Sequence, residues 1–347
     1  MTDPAPPQPK HRWPWLLLLV VVGSLGIYLG APDTEVLRAA WSRLAAVRGA
    51  ALVIVIAGAL GLVATEALRI VVISRIVGAH VTPRDAWDAA VANHVMTAVT
   101  PQVGLGEPTV AYLLGKRGVP WDAAVAIPFI KFTSSLALVF VLGAVLVIAG
   151  FGPEVDPRIR VLAIVWFLAI AMITTLLIAV CASPRTAGRW VPRISGWVGR
   201  RRWFASAAWQ ARITAAAEVT TSTVDRLAGA RRTRGRSAAL LVAVHLIYYA
   251  SYVAPLVGLA CVLGDPPLVT LSLRALVYLC FIFAMPTPGG TGLSEAAAAT
   301  FFGDLIPPAD AIVVVAVFRA ATYYLQLAIG AVYLPVRSLA LSRGWRR

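Results

Sequence analysis

The sequence predicts an all-α polytopic membrane protein: six full transmembrane helices plus two re-entrant helical hairpins, arranged as inverted repeats. Three observations predict it. Hydrophobic residues make up 59% of the 347 and charged residues only 14%, against about 25% charged in a soluble domain. Six apolar runs reach or approach the roughly 20 residues a helix needs to cross the hydrocarbon core. Two further apolar stretches are broken at midpoint by Pro and Gly, at corresponding places in the two halves.

The six runs are Trp13 to Gly30, Ala50 to Ile73, Ala123 to Phe151, Val161 to Ala182, Ala238 to Leu263 and Ala309 to Val336, the last interrupted by Arg319. The first follows Lys10, His11 and Arg12, a pattern shared with secretory signals. Because further spans follow, it is read as an uncleaved first helix.

Orientation follows from where the cations accumulate. Formal net charge is +15, and a basic balance raises nucleic acid or a membrane surface as the partner. Position decides: twelve Arg fall between Arg185 and Arg236 and four between Arg337 and Arg347, bordering apolar runs. No nucleic-acid role is expected. The tails 1–12 and 337–347 and the Arg-rich segment 183–236 are placed in the cytoplasm. The loops Gly152 to Pro157 and Gly303 to Asp310 lie outside, with Glu154, Asp156, Asp304 and Asp310 and no Lys or Arg. The first outside loop is the exception. Asp33 or Thr34 can cap a helix carrying Val36, Leu37, Trp41, Leu44 and Val47, with Arg38, Arg43 and Arg48 towards phosphates, so it reads as an interfacial amphipathic helix. A similar helix is expected within Trp203 to Leu227.

The first broken stretch, 82–117, has a helical half through Ala86, Ala90, Val91, Val95 and Met96. The break spans Pro101, Gly104 and Gly106, and Glu107 opens the second half. The second, 267–303, runs Leu273 to Met285, breaks at Pro286, Pro288, Gly289, Gly290 and Gly292, and resumes at Leu293, Ser294 and Glu295. Each half is too short to cross, so each pair enters and leaves by one face. Non-helical backbone at membrane depth is tolerated only where protein buries it or water lines it, so the breaks are expected at an internal cavity.

After each break an acid opens a half-helix and a cation follows in the next span: Glu107 with Lys131, and Glu295 with Arg319. Both separations are 24 residues. Inverted repeats with broken helices mark transporters, where rocking one repeat against the other exposes a midplane site alternately to each face.

Ionisable groups at the bilayer centre cost at least about 2.5–3.5 kcal/mol each, so they need a partner or a purpose. Lys131 and Arg319 suit an anionic headgroup, Arg gripping a phosphate at two points. Salt-bridge pairing is the other reading. Glu107 and Glu295 suit helix N-termini, as structural caps or as counter-charges at an empty site. Arg274 and His94 join the candidates for substrate binding. Glu66 and Arg69, three apart, read as a local pair, and His245 is given no functional role. Cys181, Cys261 and Cys280 lie in apolar segments without CxxC spacing, and the four His are scattered, so neither metal nor cofactor is expected. No nucleophile elbow, phosphate loop or metalloprotease motif occurs, and an enzyme is not expected.

Met285-Pro286-Thr287-Pro288-Gly289-Gly290-Thr291-Gly292-Leu293-Ser294-Glu295 closely resembles the Pro-x-x-Pro-Gly-Gly-x-Gly-x-x-Glu signature of the lysylphosphatidylglycerol synthase transmembrane-region family, the flippase-like membrane half of the multiple peptide resistance factor. The first break resembles the family's weaker partner motif, in which Asn93 precedes Pro101, Gly106 and Glu107. The first break has Gln102 and Val103 where the family often has a basic residue, and Ile130 replaces an acid common before the next basic residue. The resemblance implies a stand-alone inner-membrane protein that moves an anionic phospholipid or polyprenyl-phosphate-linked lipid between leaflets, with Asn93 near the site. Lipid synthesis is not expected, because no soluble aminoacyl-transferase domain follows the last span. A non-transporting partner of a lipid-linked glycosyltransferase, or an enzyme acting on a lipid phosphate, are the alternatives. Homo-oligomers or a lipid-enzyme partner stay open.

Overall fold

A computed structural model describes residues 34–100, 106–155, 157–181, 184–200, 207–230, 234–284 and 293–344, and the regular elements among them are helices. Helix α1 (Thr34–Ala46) leads into α2 (Arg48–Ile76). A helical pair follows, α3 (Pro83–Val99) and α4 (Gly106–Lys116), then α5 (Trp121–Ile148) and α6 (Pro157–Cys181). Two connecting helices, α7 (Pro184–Gly199) and α8 (Ala207–Ala230), lead to the second half. It comprises α9 (Arg234–Leu263), α10 (Leu268–Ala284), the short α11 (Leu293–Ala296) and α12 (Ala298–Phe302), and α13 (Pro308–Arg319). Helix α13 continues through a five-residue π-helical segment, Ala320–Tyr324, into α14 (Leu325–Gly344).

Four helices among the described residues are long and apolar enough to cross a membrane: Arg48–Ile76, Trp121–Ile148, Ser237–Leu263 and Pro308–Leu334. The chain is a multi-pass helical membrane protein. These four fall on expected spans. Of the other two, Trp13 to Gly30 lies outside the described residues, and Val161 to Ala182 falls on α6, whose apolar stretch Arg160–Leu176 is shorter. Exposed Leu52 and Val53 on α2 and exposed Leu162, Met172 and Ile173 on α6 suit contact with lipid chains. The helix expected between 203 and 227 is α8, and α7, which precedes it, packs against it. Arg226 of α8 donates through Nε to Asp122 at 2.7 Å and through Nη1 to the Val77 carbonyl at 3.0 Å, tying this connection to α5 and α2.

Helices α2 and α9 pack antiparallel through the centre. Gly58 lies beside Pro255, Thr65 shares a 2.8 Å hydrogen bond with Ser251, and Arg69 donates to His245 at 3.1 Å, so the numbering rises on one helix as it falls on the other. One further helix of each half packs against the other half. Helix α5 of the first half crosses α10, where Gly143 faces the Cys280 thiol and that thiol donates to the Val139 carbonyl at 3.1 Å. Helix α14 of the second half crosses α3, where Gly330 faces Val95 and the Tyr333 hydroxyl donates to Asp88 at 2.6 Å. A Cβ at Gly143 or Gly330 would collide with its neighbour, so the absent side chain lets the helices close, as small residues do in membrane bundles. Two apolar cores result. One lies chiefly among α5, α9, α10 and α13, the other among α2, α3, α4 and α5.

Candidate functional site

Within these cores lie two clusters of charge. The first is organised by Glu66, which α2 projects on the same face as Arg69. Glu66 is fully buried, and Arg69 and Lys131 are 3% and 1% exposed. The Lys131 ammonium, from α5, bonds to Glu66 Oε1 and stands 3.1 Å from Oε1 of Glu107 on α4. Asn93, from α3, donates through Nδ2 to the same Glu66 oxygen at 2.9 Å, while Arg69 donates to Oε2 at 2.8 Å. Arg69 also donates to His245 Nδ1 and lies 4.1 Å above the Tyr248 ring on α9. With Nδ1 accepting, the His245 proton sits on Nε2, 2.7 Å from Ser134 Oγ. Three helices thus meet at the Glu66 carboxylate, and α4 and α9 join the cluster through Lys131 and Arg69. Two carboxylates face two cations here, so the formal charges cancel, the condition under which buried ions are tolerable.

The second cluster is simpler. Arg319, 1% exposed, donates through Nε to Glu295 Oε1 at 2.8 Å, and Ser294 Oγ donates to Oε2 at 2.7 Å. Tyr278 fixes this short helix by donating to the Ser294 carbonyl at 2.7 Å. The π-helical segment starts immediately after Arg319 and brings the Tyr323 ring to 4.7 Å from the guanidinium. Such bulges redirect side chains and recur at functional sites. The Tyr323 hydroxyl then donates to the Ala98 carbonyl in the last turn of α3, at 3.1 Å, linking the second cluster to α3. Aromatic rings fill the way between: Tyr248 and Tyr252 are 5.8 Å apart, and Tyr252 and Phe318 likewise.

The structure therefore brings together Glu107 with Lys131, and Glu295 with Arg319, and adds Asn93 to the first pair through Glu66. Gly106 opens α4, where a Cβ would collide with Thr97 Oγ1 and come within 2.7 Å of Asn93 Oδ1. Among the described residues, Asn93 Oδ1, His94 Nε2 and Glu107 Oε2 are buried without a hydrogen-bond partner, which identifies polar capacity left over in this cluster. Arg274 is held in a separate ion pair with Asp304 and reaches the Phe301 carbonyl at 3.4 Å. It closes the base of its helical pair, as Arg117 closes the other by pairing with Asp85 and Asp88. The two clamps have opposite polarity: the acids stand on the first arm in one, the cation in the other. Pro101, Gly104, Pro286, Pro288, Gly289, Gly290 and Gly292 lie outside the described residues.

Sequence reasoning missed the hub. Glu66 with Arg69 was read as a local pair, and that contact exists, but Glu66 also holds Lys131 and Asn93, and His245 supports Arg69. The available signal was a lone carboxylate in the middle of an apolar run. Among the described residues no group of three or more His, Cys, Asp or Glu is gathered as a metal ion would need.

A family model described as the lysylphosphatidylglycerol synthase TM region matches residues 15–330. No curated protein matches the chain.

Proposed function

Given that the chain belongs to the lysylphosphatidylglycerol synthase TM region family, we propose that it translocates an anionic phospholipid or polyprenyl-phosphate-linked lipid between leaflets, by alternating access around a polar midplane site, without chemical change to the lipid. The observation that carries this reading is the recurrence of one device: a carboxylate opening a half-helix, ion-paired to a buried cation 24 residues on, once in each half.

The packing supports an inverted arrangement. One hairpin follows the end of α2 and the other the end of α9, and these helices run antiparallel, so the hairpin mouths belong at opposite membrane faces. Contacts at each end agree. Arg226, Asp122, Arg117 and Asp88 gather near the first mouth, and Arg43 with Asp310 near the second. With six spans, the first mouth, both termini and the Arg-rich segment face the cytoplasm of a cell whose inner membrane holds the protein. The headgroup phosphate meets Lys131 or Arg319 while the acyl chains stay in the bilayer, so the charge never crosses hydrocarbon unpaired. Rocking of the halves exposes the pairs to one face and then the other.

Reconstitution tests this. In phosphatidylcholine vesicles carrying fluorescent phosphatidylglycerol, the protein should expose inner-leaflet label to an impermeant quencher. Arg319→Gln should slow exchange about ten- to hundredfold, the equivalent of losing one charge-assisted hydrogen bond of about 1.5–3 kcal/mol. Exchange absent from wild type, or untouched by Arg319→Gln and Lys131→Gln alike, would favour a non-transporting partner of a lipid enzyme; a chemically altered lipid would favour an enzyme.

A further inference from the structure

The three buried carboxylates of the two clusters are held very differently. Glu66 is fully buried and takes side-chain hydrogen bonds from Arg69, Lys131 and Asn93. Glu295 takes them from Arg319 and Ser294. Glu107 has its ion pair with Lys131 at 3.1 Å, its Oε2 is buried without a partner among the described residues, and its side chain is still 25% exposed. It is the least restrained of the three.

The charges set the consequence. Glu66 and Glu107 balance Arg69 and Lys131, so the cluster is neutral when empty. A phosphate monoanion arriving at Lys131 leaves one surplus negative charge in an apolar interior, which is costly unless compensated. The charged and titratable groups of the Glu107 cluster are Glu66 and Arg69 from α2, His94 from α3, Lys131 from α5, and His245 and Tyr248, which reach it through Arg69, from α9. Arg69 and Lys131 are already cationic, and Glu66 is fixed by its donors. His245 accepts from Arg69 on one ring nitrogen and contacts Ser134 through the other. His94 has a buried, unpartnered Nε2, but protonating it places a third cation beside two. Protonating Glu107 removes a charge instead.

Resting on the translocation reading above, we infer that Glu107 is the proton carrier of this protein: each anionic headgroup binds together with one proton. As the Lys131 ammonium turns from Glu107 to the phosphate, a proton from water forms an O–H bond at the Glu107 carboxylate, and the loaded site is neutral again. The proton leaves when the headgroup does, so the lipid moves without net charge.

Calorimetric titration of the purified protein at pH 7 with short-chain phosphatidylglycerol, in two buffers of different ionisation enthalpy, counts the protons taken up. The expected result is about one proton per headgroup bound, close to none in Glu107→Gln, and about one still in His94→Gln. Infrared difference spectra should show a neutral carboxylic acid band on lipid binding, shifted in Glu107→Asp. Binding by wild type without proton uptake, or with uptake undiminished in Glu107→Gln, overturns the inference and leaves translocation standing. Failure of the lipid to bind at all overturns both.

Discussion

Arg319 donates to Glu295 at 2.8 Å across 24 residues of chain, and the Ser294 hydroxyl completes the pair at Glu295's second oxygen. The matching pair in the first half is less finished, because Lys131 is shared between Glu107 and Glu66 and one Glu107 oxygen has no partner among the described residues. One repeated device has therefore diverged: in the second half Glu295 meets Arg319 and Ser294, whereas in the first Lys131 belongs to a network from five helices.

Glu66 should be the most stability-critical ionisable group in the first cluster. Glu66→Gln leaves Lys131 and Arg69 buried against one remaining carboxylate, and breaking a buried pair costs about 3–5 kcal/mol. Thermal unfolding in detergent should show a large drop in midpoint for Glu66→Gln and a smaller one for Glu107→Gln. Equal drops would mean that Glu107 is as structural as Glu66.

The crossing of α14 over α3 makes a second prediction. Gly330→Ala drives a Cβ into Val95, and overpacking of this kind costs about 1–3 kcal/mol. Val95→Ala should recover part of that loss in the double variant, measured by the same unfolding midpoints. Additive losses would indicate that the two helices do not meet there.

Much of this was legible in the sequence because it depends on local pattern. Run length and hydropathy gave the spans that α2, α5, α9 and α13 with α14 occupy. Pro and Gly placed the interruptions that separate α3 from α4 and α10 from α11. The 24-residue spacing found both ion pairs, since a half-helix and the following span are joined by a short turn and their contact is nearly local. What escaped was set by packing between distant segments. Asn93 and Lys131 meet Glu66 across 27 and 65 residues, and His245 meets Arg69 across 176; no periodicity encodes such partners. Arg274 illustrates the converse, a buried cation whose chemistry suited a phosphate but whose neighbour is Asp304.

The account turns on hairpins that open to opposite faces, and sided thiol labelling tests it most directly. With Cys181, Cys261 and Cys280 replaced by Ser, His80→Cys and Asp265→Cys place single thiols at the exposed turns before α3 and α10. In intact cells a membrane-impermeant maleimide should label Asp265→Cys at once and His80→Cys only after permeabilisation. Labelling of both from the same side would contradict the inverted arrangement and remove the basis for alternating access.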